Sequence, residues 1–576
     1  MTQKVEFKLP DSWRRADVIS ASFFINVLSL GLPIVILQVY DRIIPNAAYS
    51  TLQLIMLGLV VALMLETMLR VLRATILSNI GARYEHRTGR DAFSAILNSN
   101  ISQYDEDTAG SYVERMRCLP TIRDFYTGQA ALLAVDLPFV LIFLILIGLI
   151  GGFLVLIPLV LLGILLAMAY FLGEQLSGAL KVHTQSDRRR HDFLIETLQG
   201  IHSVKALSLE RLMVRRYERL QAKSASEVMN LNTLQSTISS FANTLSQLGT
   251  VSYVAIGSLS VINQSMTLGG LAAGMMLTGR ILQPVLRGFN FWTRYQSVRQ
   301  AQDRIGEVFQ LEQEEQEQYV SEPIRGHITF KNVSFRHSED APYILKDVNI
   351  DIPIGSMIGL TGENGCGLST VLGLMNGIYR PESGSILIDG KSNTSYGGDE
   401  LRRQMGYMPE KGEFFHGTLL DNLTMFRDGE AKARAVRALH LLGIEEAVLS
   451  LPHGLETLLG EGTTSHIPRG VCQQIVIARA LVDDPPIILF DNAHDGLDIQ
   501  SDAHLMAALQ QVRTGKTIFL ATYRPSFLRT CDRVYILADG KMEEQKPPSV
   551  SESVENPNSE SVDEAGPSVI NQKEAS

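Results

Sequence analysis

Gly355-Ser-Met-Ile-Gly-Leu-Thr-Gly-Glu-Asn-Gly-Cys-Gly-Leu-Ser-Thr370 is the stretch that decides the fold. Its apolar run, Met357 to Leu360, reads as a buried strand. A loop with Gly362, Gly365 and Gly367 follows, then Ser369, Thr370 and a helical pattern from Val371. Strand, glycine loop and helix in that order form a phosphate-binding loop, G-x-x-x-x-G-K-[ST], with Leu368 in place of the lysine. Glycine lets the backbone turn tightly and bring N–H groups within reach of phosphate oxygens. The lysine normally carries positive charge to the terminal phosphates, and leucine carries none.

Around this loop the texture is that of an α/β domain. Apolar runs at Ile328–Phe335, Val348–Ile352, Met357–Leu360, Ile386–Ile388, Ile487–Phe490, Thr517–Ala521 and Val534–Leu537 read as strands separated by helical segments. Past Glu544 the chain turns to Ser, Glu, Pro and Asn, which cannot bury enough surface to fold, so 546–576 is expected to be a disordered acidic tail.

The half before the loop is different. The 576 residues are 45% hydrophobic and 19% charged, with a mean hydropathy of +0.10, and the apolar excess lies mainly in the first half. Six windows, 17–39, 51–72, 129–150, 151–172, 245–263 and 266–287, each approach the ~20 residues that cross a bilayer as a helix. The third and fourth meet at Gly151 and Gly152, which predicts two spans joined by a tight turn. Long charged helical stretches, 73–127 and 174–244, separate the pairs. Arg73, Arg83, Arg87 and Arg90 crowd the first, and Arg188, Arg189, Arg190, Arg215 and Arg216 the second. Positive charge marks the cytoplasmic side, so both stretches and the N-terminus are expected there. Glu66, Asp136 and Arg280 fall inside the windows, where an ionisable group lines a polar pathway, pairs with another or snorkels to the interface.

A net charge of −10 (51 Lys and Arg against 61 Asp and Glu) argues against nucleic acid as the main partner. Cys118, Cys366, Cys472 and Cys531 lack paired or metal-binding spacing and read as free thiols. Trp13, Arg14 and Arg15 precede an apolar run too long for a cleavable signal peptide, and none is expected.

Six spans followed by one nucleotide domain resemble an ABC exporter half-transporter, over nearly everything from 16 to 544. The motifs recur in that family's order. Asp491 closes Ile487-Ile-Leu-Phe490 as a Walker B aspartate does, and Asp495-Gly-Leu-Asp498 looks like the D-loop. Ile475-Val-Ile-Ala-Arg-Ala-Leu481 is similar to the helix after the ABC signature. Met405-Gly-Tyr-Met-Pro-Glu410 occupies the Q-loop, and Thr522-Tyr-Arg-Pro-Ser526 the switch segment. Val39-Tyr-Asp-Arg-Ile-Ile-Pro-Asn46, Asp136-Leu-Pro-Phe139 and Gly279-Arg-Ile-Leu-Gln-Pro284 look like the type I secretion ATPases of the haemolysin and RTX-adhesin kind. Gly200-Ile-His-Ser-Val-Lys-Ala206 is similar to their second coupling loop. Many members carry a peptidase-like N-terminal domain, and none is expected here.

The resemblance implies a membrane α-helical six-span exporter domain with an α/β P-loop nucleotide domain. The expected boundaries are a cytoplasmic N-terminus 1–16, a membrane domain 17–310, a linker 311–326, a nucleotide domain 327–545 and the tail. It also implies bacterial inner-membrane placement, ATP and Mg²⁺ as cofactors, a secreted polypeptide as substrate, and a periplasmic adaptor and outer-membrane channel as partners.

The catalytic positions depart from that family together. Leu368 stands for the lysine, Asn492 for the glutamate that polarises water, Tyr523 for the switch histidine and Glu410 for the Q-loop glutamine. An amide at 492 cannot accept a proton as a carboxylate does. Ile467-Pro-Arg-Gly-Val471 stands for Leu-Ser-Gly-Gly-Gln, so Pro468 removes a hydroxyl and an N–H, Arg469 adds bulk, and Gly470 remains. What persists is Ser369 and Asp491 for Mg²⁺, and the N–H groups of Gly365, Cys366 and Gly367 with the helix N-terminus at Ser369 and Thr370 for phosphate. His337 sits where an aromatic stacks on adenine, or is a solvated loop histidine. The expected function is a degenerate ABC subunit that binds ATP weakly beside a second, active ABC half-transporter. The alternatives are an orthodox ATP-driven homodimer and a non-transporting membrane scaffold.

Overall fold

The computed structural model describes residues 15–314, 322–338, 340–460 and 467–547. Most of the N-terminal segment, the middle of the linker and nearly all of the acidic tail lie outside the described residues. The chain divides into two compact units. One holds residues from Gln313 onward together with Asn100–Glu106; the other holds most of what precedes Gln313.

The helical unit follows the apolar windows. Helices α1 (Ala16–Ser29) and α2 (Gly31–Gln38) carry the first window. They are followed by α3 (Tyr49–Leu97), the short α4 (Ile101–Tyr104), α5 (Ala109–Met116) and α6 (Cys118–Asp124), then α7 (Ala130–Gly151) and α8 (Leu156–Gln199). After α9 (Ile201–Ala206) come α10 (Glu210–Ile262) and α11 (Leu268–Gln310). The 73–127 stretch is therefore several helices. Among the described residues, four helical runs, Ala16–Ile43, Tyr49–Leu97, Asp136–Gln199 and Glu210–Ile262, are long and apolar enough to cross a membrane. Leu54, Leu57, Met64 and Met68 on α3 are exposed, as on a helix whose apolar surface faces lipid. Between α7 and α8 a single turn intervenes, where Gly152 adopts a left-handed φ of +56° that a side chain would strain.

Two polar contacts explain motifs read in the sequence. Asp41 accepts from Thr267 Oγ1 at 2.6 Å and from the Gly269 N–H at 2.8 Å, which ties the helical turn after α2, Val39–Ile43, to the first turn of α11. Asp136 is buried, accepts from Asn26 Nδ2 at 3.0 Å and lies 4.0 Å from Arg73, which donates to Ser22. A carboxylate inside the helices is thus compensated by a cation and an amide. Glu66 accepts from Arg70 Nε at 3.0 Å.

In the α/β unit, β1 (Ile328–Phe335), β2 (Leu345–Ile352), β4 (Ser383–Ile388) and β5 (Lys391–Ser392) make an antiparallel sheet of order β2-β1-β4-β5. The strand β3 (Met357–Gly362), which leads through the loop to α12 (Leu368–Met375), belongs to the second sheet. The helix α13 (Gly398–Arg403) precedes β6 (Met405–Met408). Then come the short pair β7 (Gly417–Thr418) and β8 (Leu458–Leu459), with α14 (Leu419–Thr424), α15 (Glu430–Leu441) and α16 (Glu445–Leu449) between them. The chain continues with α17 (Arg469–Leu481), β9 (Ile487–Asp491), α18 (Ile499–Val512), β10 (Thr517–Ala521), α19 (Pro525–Leu528), β11 (Arg533–Ala538) and β12 (Lys541–Gln545). The second sheet has the order β12-β11-β3-β10-β9-β6 and is parallel except for β12. Its central strands β9 and β10 are buried at every residue, as expected where a parallel sheet is covered on both faces. The C-terminal ends of β3 and β9 carry the phosphate loop and Asp491, which is where open α/β sheets place ligands.

Candidate functional site

The loop after β3 takes the form its glycines permit. Gly365 (φ +82°) and Gly367 (φ +104°) are left-handed, and a Cβ on Gly362 would lie 2.5 Å from the Leu537 carbonyl oxygen. Helix α12 begins at Leu368, three residues earlier than the sequence pattern suggests. Leu368 is 4% exposed and belongs to the apolar core beneath the loop, where Ile344 also packs. Ser369, the next residue, is exposed and donates to Asp491 Oδ1 at 2.8 Å.

One of the expected phosphate donors is already bonded within the chain: the Cys366 N–H donates to the Glu363 carbonyl at 3.1 Å. All four cysteines are free thiols. Burial pushes the Cys366 thiol up, opposed by the Leu368 N–H and its own N–H.

Asp491 at the end of β9 is 4% exposed. Its second oxygen, Oδ2, accepts from the Tyr407 hydroxyl at 2.8 Å. Tyr407 lies on β6 and pairs with Leu489 of β9, so the parallel register brings the phenol to Asp491. Burial first, then the negative charge of Asp491 and the bond to it, push the Tyr407 phenol above its ordinary range, with Glu410 adding to the effect. Tyr523, 40% exposed, is likewise pushed up by burial and then by Cys366, Asp491 and Glu410, with the Gly365 N–H opposing.

Asn492 follows Asp491 with a left-handed φ of +44°. Its N–H donates to the Ala521 carbonyl at 2.9 Å, while its side-chain Oδ1 is buried with no hydrogen-bond partner. A buried acceptor left unsatisfied is costly, so this oxygen is placed for a water or a ligand donor.

Sequence reasoning misses His494, which no motif quoted above singles out. It is 5% exposed, its Nε2 lies 2.5 Å from Thr522 Oγ1, and it packs edge-on against Phe490 and Phe527. Burial and then Arg524 lower its pKa to about 4, with Asp495 opposing, so the ring is neutral at pH 7.

On the other side of α12, His337 is brought to the loop, its Nε2 3.2 Å from Thr370 Oγ1. Its ring meets Phe335 and Tyr379 at centroid distances of 5.2 Å each. Sequence reasoning also misses Tyr379 and Tyr407. The first follows a helix whose Gly373 clears room for its ring, and the second lies inside the quoted Q-loop segment, where the family pattern draws attention to Glu410 alone. Pro468 and Arg469 are exposed at the start of α17, with Pro468 as the residue preceding the helix and Arg469 without an ion-pair partner among the described residues. A Cβ on Gly470 would lie 3.3 Å from the Gly496 carbonyl oxygen. Gln473 anchors this helix by donating to the Pro409 and Ala493 carbonyls at 2.8 and 2.9 Å. Asp498 caps α18 by accepting from the Ser501 N–H at 2.7 Å.

The ABC transporter transmembrane region model matches residues 18–285, and the ABC transporter model matches residues 345–495. The chain is 30% identical over 530 residues to the toxin RTX-I translocation ATP-binding protein of Actinobacillus pleuropneumoniae, covering 92% of this chain and 75% of that protein. It is 29% identical over the same length to the leukotoxin translocation ATP-binding protein of Mannheimia glucosida, with the same coverage. A solved bacterial Atm1-family ABC exporter with ATP bound superposes with a TM-score of 0.77 at 20% identity, covering 92% of this chain and 94% of the other, which shows a shared fold. An ABC ATPase region implies ATP and Mg²⁺ binding. The residues present fit both: Ser369 and Asp491 are adjacent, the glycine cradle is open at Gly365, and the Asn492 oxygen is unpartnered.

Proposed function

The chain belongs to the ABC transporter family as an exporter with membrane and ATPase regions, and from that premise we propose that its own nucleotide site binds ATP weakly and hydrolyses it slowly or not at all. It is a multi-pass protein of the bacterial inner membrane. The division into a membrane domain, 17–310, and a nucleotide domain, 327–545, is part of the proposal.

The observation that carries this reading is the burial of Leu368 in the apolar core at the position where the loop pattern has a lysine. No ammonium is delivered there to a terminal phosphate. Asn492 supports it, since the amide at the end of β9 cannot take a proton from water. ATP with Mg²⁺, when bound, supplies the phosphoanhydride cleavage that drives ABC transport. This chain's part is to hold phosphate on the first turn of α12 and to offer Ser369 and Asp491 to the metal, with Phe335, His337 and Tyr379 beside the base.

The relatives are named for translocating RTX-I toxin and leukotoxin. On that basis the exported substrate is a polypeptide, handled with a periplasmic adaptor and an outer-membrane channel. A second, catalytically intact ABC half-transporter supplies the turnover. The test is ATP hydrolysis by this chain alone, by the partner alone and by the co-purified pair. Activity is expected in the last two only. Robust hydrolysis by this chain alone, abolished by Asp491→Ala, would overturn the reading.

A further inference from the structure

Glu66 and Asp136 have cations beside them, and Arg280 has no anion. It lies in the sixth apolar window, 266–287, and within the matched transmembrane region, 18–285. At about 1.5 Å of rise per residue it sits ~5 Å from the middle of that window, inside ~30 Å of hydrocarbon.

The carboxylates of the spans are spent elsewhere. The six windows hold only Asp17, Glu66 and Asp136. Asp17 pairs with Arg15 at the start of α1. Glu66 gives Oε1 to both Nε and Nη2 of Arg70, at 3.0 and 2.5 Å. Asp136 accepts from Asn26 and faces Arg73. Among the described residues Arg280 makes no hydrogen bond and no ion pair. The charged groups that act on it are Glu66 and Arg70, one of each sign, so its own charge stays uncompensated.

Its surroundings are open. Helix α11 packs against α2, α3, α7, α8 and α10, which makes it a central helix of its unit. Ala273, Leu277, Thr278 and Ile281 are buried on its packed face. Arg280 is half-buried on the flank, beside Gly279, where an added Cβ would meet nothing within 4 Å. A guanidinium at membrane depth avoids lipid and turns to a polar path or a partner. With the carboxylates of the spans engaged, this one is left for a ligand.

We propose that Arg280 is an anion contact on the export path, one that receives the carboxylates of the passing polypeptide. The proposal rests on the reading that the exported substrate is a polypeptide. A guanidinium offers a carboxylate two parallel N–H donors, so it recognises acid wherever the passing sequence carries it.

The full chain in phosphatidylcholine nanodiscs is titrated with short peptides that have blocked ends and a neutral dye, and binding is read by fluorescence anisotropy. One series carries Asp and Glu, a second the Asn and Gln equivalents. The acidic series is expected to bind roughly tenfold or more tightly, the scale of one hydrogen bond to a charged group. Arg280→Gln is expected to erase that difference and Arg280→Lys to retain part of it. Should Arg280→Gln fail to fold, Met276→Glu leaves the arginine in place and gives it a carboxylate one turn away. Met276 is only partly buried, and this variant is expected to erase the difference too. Equal binding of both series by the parent, or a preference that survives Arg280→Gln or Met276→Glu, would overturn the contact and leave the polypeptide reading standing. A phospholipid retained by the parent and lost from Arg280→Gln in native mass spectrometry would assign the guanidinium to lipid phosphate and overturn it as well. Binding of neither series would overturn the polypeptide reading too.

Discussion

Tyr407 donates a 2.8 Å hydrogen bond to one oxygen of Asp491 while Ser369 donates one of equal length to the other. A carboxylate this deeply buried is costly without partners, and two hydroxyls from different elements of one unit supply them. The pair holds the end of β9 in register with the phosphate loop and with β6. It also means that a ligand of Asp491 competes with a bond the protein already makes.

Tyr407→Phe tests the strength of that bond. A hydrogen bond to a charged group contributes about 1.5–3 kcal/mol, and the ring itself stays packed. The variant should show a lower thermal midpoint than the parent chain in the absence of nucleotide. An unchanged midpoint would show that Asp491 does not depend on the phenol.

Leu368→Lys should tighten nucleotide binding about ten- to a hundredfold, since a charged hydrogen bond of ~1.5–3 kcal/mol is added. The lysine must leave the core pocket that leucine fills, so a fall in thermal midpoint is expected alongside. Hydrolysis should stay low because Asn492 and Tyr523 are unchanged. Unaltered affinity would show that the loop does not hold phosphate.

His494 predicts a pH dependence. Its folded pKa, about 4, lies below the ordinary 6.5, so between those values the unfolded chain binds the extra proton and the folded chain does not. Stability should therefore fall as pH drops from about 6.5 toward 4, by on the order of 3 kcal/mol in all. His494→Gln should flatten that part of the profile of thermal midpoint against pH. A variant with the parent's slope would place the dependence elsewhere.

In the helical unit, Gly269→Ala should be worse than Asp41→Asn. A Cβ at 269 would lie 2.6 Å from the Leu37 carbonyl oxygen and 2.7 Å from Asp41 Oδ1, so backbone must move. Asp41→Asn removes charge but keeps an acceptor for the capping N–H, a change of ~1 kcal/mol or less. The yield of folded chain from membranes, measured by detergent gel filtration, separates the two. Equal yields would mean that the junction at α11 is slack.

What the sequence makes legible is what residue spacing encodes directly. The glycines of the phosphate loop, the apolar strand ending in Asp491 and the Gly151-Gly152 turn all lie where local pattern places them. The strands Thr517–Ala521 and Ile328–Phe335 match to the residue. Met405–Met408 reads as part of a loop because four residues without strong alternation carry little signal, and only pairing with β9 makes them a strand. The link from Tyr407 to Asp491 follows from that pairing and spans 84 positions, so no local pattern contains it. The burial of Leu368 among residues drawn from both sheets is likewise non-local. Sequence alone leaves pathway and pairing evenly matched for Asp136, because its partners Asn26 and Arg73 come from separate helices.

The segment Asn100–Glu106, which contains α4, is counted with the α/β unit although the chain around it belongs to the helical unit. Among the described residues the polypeptide therefore passes between the units three times: after Ser99, after Glu106 and after Glu312. A chain break at the Glu312–Gln313 junction cuts one of these passages and leaves two intact. The nicked protein should run as two bands in denaturant and as one species without it. The unit that starts at Gln313, expressed by itself, would be missing a piece that lies roughly two hundred residues upstream.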